Sequence, residues 1–117
     1  MIGLRLQQRE NTHREFERLR KQSQQLRLEF VRSELEISST LATFANNRHF
    51  SDVLQECSYL TAAKGYHTAV KLLSEAESGE ARRALEIEVE RLRATLAQTR
   101  TDRISRSRDR AGALRHP

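Results

Sequence analysis

The chain has little that bends or cross-links a backbone. Its 117 residues include one proline, Pro117, along with four glycines, one cysteine and no tryptophan. With no proline inside, nothing removes a backbone donor or forces a preceding residue out of the α region, so helices can run long. The lone Cys57 cannot make an intramolecular disulfide, and nothing here points to an oxidising compartment. Aromatic residues are 5% of the chain, too few for a strand-rich core, which would also need more turn signals. No apolar run approaches the roughly 20 residues that span a bilayer. Met1-Ile2-Gly3-Leu4-Arg5 lacks the apolar centre of a signal peptide. These absences lead to the expectation of an all-α, cytoplasmic protein without membrane contact.

What is present is charge and regularly spaced aliphatic residues. Charged residues are 32% and hydrophobic residues 37%, so the core must be thin. The net charge is +5, unevenly distributed. Residues 1–32 carry 8 basic and 4 acidic groups, residues 33–99 carry 7 and 10, and residues 100–117 carry 6 and 2. A mildly acidic body therefore lies between two basic ends. That pattern suits either solvated ends or ends that meet an anionic polymer.

The central stretch is Ser58–Leu73. Here Tyr59, Ala62, Ala63, Tyr66, Ala69, Val70 and Leu73 recur at helical steps and share one side of a helix. Ala62, Ala63, Gly65 and Ala69 keep that side thin, which lets a second helix approach closely. Gly65 in mid-helix costs about 1 kcal/mol against Ala, and close contact with a partner backbone is the reading preferred over simple tolerance.

Three helices are expected, over about 12–46, 52–76 and 80–103. Thr12-His13-Arg14-Glu15 fits a capping box, although a start as early as Gly3 is open. Phe16, Leu19, Leu26, Phe30, Ile37 and Phe44 follow coiled-coil spacing, with Ser23, Ser33 and Thr40 at the missing steps. Leu28, Val31, Leu35, Ala42 and Ala45 form a neighbouring row. Together the rows predict one broad buried face from Leu26 to Ala45, and a single seam before it. Asn46-Asn47-Arg48-His49 is suited to a left-handed helix end, and Ser51 with Asp52 to the next helix start. Glu77-Ser78-Gly79 provides the second turn. In the third helix Ala81, Leu85, Val89, Leu92, Leu96 and Thr99 mark the inward side.

The fold expected is a three-helix up-down-up bundle with a long projecting first helix. At about 1.5 Å per residue the first helix would be roughly 50 Å long and the others roughly 37 Å. Residues 1–11 are expected to be a frayed lead-in, 12–105 the bundle and 106–117 a basic, disordered tail. The residues expected to pack helices are Phe30, Ile37, Phe44, Gly65, Tyr66 and Leu73.

Motifs that carry chemistry are scarce. His13, His49, His67 and His116 show no metal-ligand spacing to one another, to Cys57 or to a carboxylate. Cys57 has no accompanying oxyanion loop and reads as a small buried hydrophobe. No phosphate loop or dinucleotide fingerprint occurs. The candidate anion or nucleic-acid contacts are Arg14, Arg18, Lys21, Arg103, Arg106, Arg108 and Arg110. No aromatic residue is interleaved with the tail arginines to stack on bases.

Glu34-Leu35-Glu36-Ile37 and Ala63-Lys64-Gly65-Tyr66-His67-Thr68-Ala69-Val70-Lys71-Leu72-Leu73 resemble short uncharacterised bacterial helical-hairpin proteins. The resemblance covers residues 33–75 and implies a helical hairpin with no assigned activity. Tyr66-x-x-Ala69 is also similar to one helix of a tetratricopeptide hairpin, but there is no second copy and no Trp-Leu-Gly pattern.

The expected function is a non-enzymatic protein–protein interaction module, self-associating or serving as an adaptor or regulatory protein. The alternative is a nucleic-acid-associated protein using both basic ends. Neither a cofactor nor a metal is expected.

Overall fold

The protein, in a computed structural model described over Ile2–Arg115, consists of α1 (Ile2–Ala45), α2 (Asp52–Ser74) and α3 (Glu80–Arg115). No strand occurs among the described residues. The principal extents are 94 × 20 × 17 Å. At about 1.5 Å per residue α1 alone would reach roughly 66 Å, so the other helices must extend beyond its end.

Cross-helix contacts give the alignment. Near one end, Arg20 pairs with Glu77 at 3.2 Å and Arg27 donates to the Glu75 carbonyl at 2.8 Å. Near the other, the Thr99 hydroxyl lies 3.1 Å from Asn46 Oδ1. Further along α3, Arg103 pairs with Glu56 and Arg110 with Asp52. The α2–α3 turn therefore lies beside the middle of α1, and the first 18 or so residues of α1 run past it.

Both long helices exceed their expected bounds. Thr12 does not cap α1; it is interior, and its hydroxyl donates to the Gln8 carbonyl at 2.8 Å. Residues 2–11, expected to fray, are helical. Helix α3 continues through Ser107 to Arg115, because Arg103 and Arg110 find carboxylates on α2. Pro117 and His116 lie outside the described residues.

The turns follow local chemistry. Ser51 Oγ accepts from the Leu54 amide at 3.2 Å and caps α2, with Asp52 in the first turn favouring its positive end. Gln55, buried, donates to the Asn47 carbonyl at 2.5 Å and to the Phe50 carbonyl at 3.3 Å, which ties the loop to α2. The left-handed ending expected at Asn46–His49 is absent: no described residue has positive φ. The Asn46 amide instead bonds back to Ala42 and Thr43 at 3.2 Å each. At the far end of α2, Arg27 and Arg82 cover the carbonyls of Glu75 and Ala76, supplying positive charge where the helix leaves acceptors unpaired.

The core is a thin row of Val31, Leu35 and Ala42 from α1, Ala62, Ala69 and Leu73 from α2, and Leu85, Leu92 and Leu96 from α3. Gly65 is buried against α1, and Tyr66 is half-buried beside the core. A Cβ on Gly65 would overlap Ser38 Oγ and would lie 3.3 Å from Ser38 Cβ and 3.4 Å from Glu34 Oε2. The two backbones meet there because neither side chain holds them apart.

The broad face expected on α1 divides in two. Val31, Leu35, Ser38, Ala42 and Ala45 are buried, whereas Phe30, Ile37 and Phe44, expected to pack against the other helices, are 50%, 56% and 39% exposed. The physical reason is the thin side of α2: Gly65, Ala62 and Ala69 accept the small residues of the neighbouring row and leave no depth for a phenyl ring. Cys57, expected inside, is exposed.

Candidate functional site

Successive residues turn by about 100° around a helix, which places the row Phe16, Leu19, Leu26, Phe30, Ile37 and Phe44 about 120° from the buried face of α1. All six side chains are exposed, Phe16 by 61% and Leu26 by 60%. Ser23, Ser33 and Thr40 fill the intervening seam positions and are exposed too. The result is an apolar stripe along 29 residues of one helix, beginning on the projecting half and continuing beside α2. Scattered exposed apolar residues are ordinary, but a row of large ones at six of nine coiled-coil seam positions is the form in which one helix receives another. Phe44, at its end, meets Phe50 edge-on with ring centroids 5.5 Å apart.

Near the stripe's other end lies a cleft of about 410 Å³, lined by Phe16, Leu19, Arg20, Arg27, Glu75 and Glu77 among others. It combines the first apolar residues of the stripe with the ion-paired α2–α3 turn.

The candidate anion contacts separate into two groups. Arg14, Arg18 and Lys21 are exposed on α1, and Arg18 pairs with Glu15 one turn away at 2.7 Å. At the opposite end, Arg103, Arg106 and Arg110 share a face of α3 and line a cleft of about 210 Å³ with Asp52, Gln55 and Ser107. Arg108, two residues from Arg106 and so about 160° around the helix from it, is exposed and does not line the cleft. No structural feature brings Arg14, Arg18 or Lys21 to this cleft.

Acids already occupy much of that basic cluster. Arg110 grips Asp52 through Nη1 at 2.6 Å and Nη2 at 3.2 Å, and Arg103 bonds Glu56. The hydrogen bond and charge of Arg110, with smaller help from Arg103 and Arg106, hold the Asp52 carboxyl below the usual carboxylate range. Arg103 Nη1 is buried without a partner, and Arg106 is half-buried. The arrangement clasps α3 to the start of α2 and retains a small positive excess.

No group of three or more His, Cys, Asp or Glu residues among the described residues is placed to hold a metal ion. No helix among them is long and apolar enough to cross a membrane. The stripe was visible in the sequence as a heptad row; that it faces outward was not. Arg103, Arg106 and Arg110 were also visible, but the acidic partners of Arg103 and Arg110 on α2 are 47 and 58 residues away.

Comparison with models of protein families, with curated proteins and with solved structures finds no match in any of the three.

Proposed function

We propose that this chain is a non-enzymatic helical interaction module. In this reading its three helices run up-down-up, and the bundle holds the outer face of α1 free to receive another helix inside the cytoplasm. The observation that supports it is the outward row from Phe16 to Phe44, whose members are exposed while an adjacent row of α1 does the internal packing. Internal packing does not need these large side chains, and leaving them in water forgoes roughly 25 cal/mol per Å² of apolar area.

A photoreactive phenylalanine analogue tests the surface without assuming the partner. Placed at Phe30 in cells making the chain, it should form protein adducts; placed at Arg32, off the stripe, it should form few. Equal yields at the two positions would remove the reading.

The second reading, nucleic-acid association, is favoured by the convergence of Arg103, Arg106 and Arg110 on one cleft. It ranks lower because Asp52 and Glu56 already offset two of these charges. Binding to duplex or single-stranded nucleic acid that falls steeply with salt, and is lost in Arg106→Glu, would support it. Absence of binding at low salt would exclude it.

A further inference from the structure

We infer that the helix received by the α1 stripe belongs to a second copy of this chain, lying antiparallel so that facing seam residues have numbers summing to 56. The inference rests on the preceding reading of the stripe as a docking surface, and it names the partner.

Area is the first support. From their exposures, the six large residues of the stripe expose at most roughly 600–700 Å² per copy, which if fully covered is the low end of the roughly 600–1,000 Å² per partner of a standard interface. Flanking stems would add to this.

Layer volumes choose the orientation. A parallel pair would place each seam residue on its own counterpart. Phe16, Phe30 and Phe44 would crowd against themselves, while Ser23, Ser33 and Thr40 would leave thin, polar layers between them. Antiparallel pairing parts the phenylalanines from their own counterparts and breaks up the Thr40 layer, while two serine layers remain. Leu26 then faces Phe30 of the second copy and Leu19 faces its Ile37, while Phe16 lies against its Thr40. The serines at 23 and 33 meet each other across the seam. Every layer occurs twice by symmetry, as a two-fold interface requires.

Charge points the same way. In the parallel pair the flanking charges cancel, Glu15 beside Arg20 of the second copy against Glu29 beside its Glu34, but Arg5 and Arg9 would continue the seam opposite themselves. In the antiparallel pair Arg5 and Arg9 stand apart from their own counterparts, while Arg20, held by Glu77 at 3.2 Å, and Glu34, whose carboxylate lies against Gly65, stay engaged within each copy. The unfavourable meetings of that pair fall near the two-fold axis, Glu29 with Glu29 and Arg27 with Arg27, and Arg27 is already turned toward the Glu75 carbonyl at 2.8 Å. The projecting half of each α1 also gains a neighbour, since it runs alongside the second copy's α1 toward the α1–α2 turn.

Cysteine pairing tests partner and orientation together. Cys57→Ser removes the native thiol, and Ser23→Cys or Ser33→Cys then adds one on the exposed seam. Each single variant alone should give no disulfide-linked dimer under mild oxidation. An equal mixture should give one, of twice the 13.6 kDa chain mass. A dimer from either variant alone would overturn the antiparallel arrangement. A monomer in every sample, with a monomeric solution mass, would overturn the second copy as partner. Selective adducts from Phe30 to a different protein would then leave the docking surface standing, and their absence would remove that as well.

Discussion

Ser38 Oγ occupies the place that a methyl group on Gly65 would need, and Ser38 Cβ would be only 3.3 Å from it. This pair sets the distance between α1 and α2, and through it the face of α1 that turns inward. Alanine at 65 would gain about 1 kcal/mol of helix propensity and incur an overpacking cost of about 1–3 kcal/mol. Gly65→Ala should therefore lower stability by about 1 kcal/mol in urea unfolding, and Gly65→Leu by several times that amount. Adding Ser38→Gly to Gly65→Ala should recover part of the loss in a double-mutant cycle. Independent, additive effects would show that the helices do not meet there.

The Ser38 hydroxyl is buried and has no hydrogen-bond partner. Removing such a group relieves a desolvation cost. Ser38→Ala should leave stability unchanged or raise it by up to about 1 kcal/mol, again by urea unfolding. A loss of more than about 1 kcal/mol would mean that the hydroxyl is bonded in solution.

The two faces of α1 should respond oppositely to truncation. Leu35 is 2% exposed and Ile37 is 56% exposed, two residues further along. At a dilution where association is absent, Leu35→Ala should cost about 3 kcal/mol and Ile37→Ala no more than about 0.5 kcal/mol. Similar losses at both positions would place the large residues inside after all.

The Asp52–Arg110 pair should make the end of α3 sensitive to acid. The folded-state pKa of Asp52 is lowered by Arg110. Its contribution is therefore fully present above the ordinary carboxylate pKa and is lost as pH falls through the lower folded value. Amide protection across residues 104–111, taken relative to the intrinsic exchange rate at each pH, should fall in that acid range and with added salt, while that of residues 85–99 holds. In Asp52→Asn the exchange should already be fast at neutral pH, and the acid step should shrink. An unchanged pH profile in Asp52→Asn would assign the ordering of this segment to something else.

Much of this architecture is legible in the residues. Ser51 and Asp52 announce α2, the Glu77–Gly79 turn separates α2 from α3, and the spacing of Leu85, Leu92, Leu96 and Thr99 gives the inner side of α3. Which apolar row of α1 goes inside is not legible from α1 alone. Both rows have helical spacing, and hydrophobicity alone favours the one richer in phenylalanine. The choice lies in Gly65, Ala62 and Ala69 on α2, which admit Ser38 and Ala42 and exclude Phe30. The length of α3 is hidden for a related reason: Arg103 and Arg110 look like a solvated basic tail until Glu56 and Asp52 are brought alongside.

Solution molar mass over a wide concentration range bears most directly on the outward stripe. The wild-type chain should rise reversibly from 13.6 kDa to twice that mass. Phe30→Glu combined with Ile37→Glu should stay at the lower mass with unchanged helix content, since both side chains already stand in water. A wild-type chain that remains at the lower mass at every concentration, or a dimer that persists in the double variant, would contradict self-association through this face.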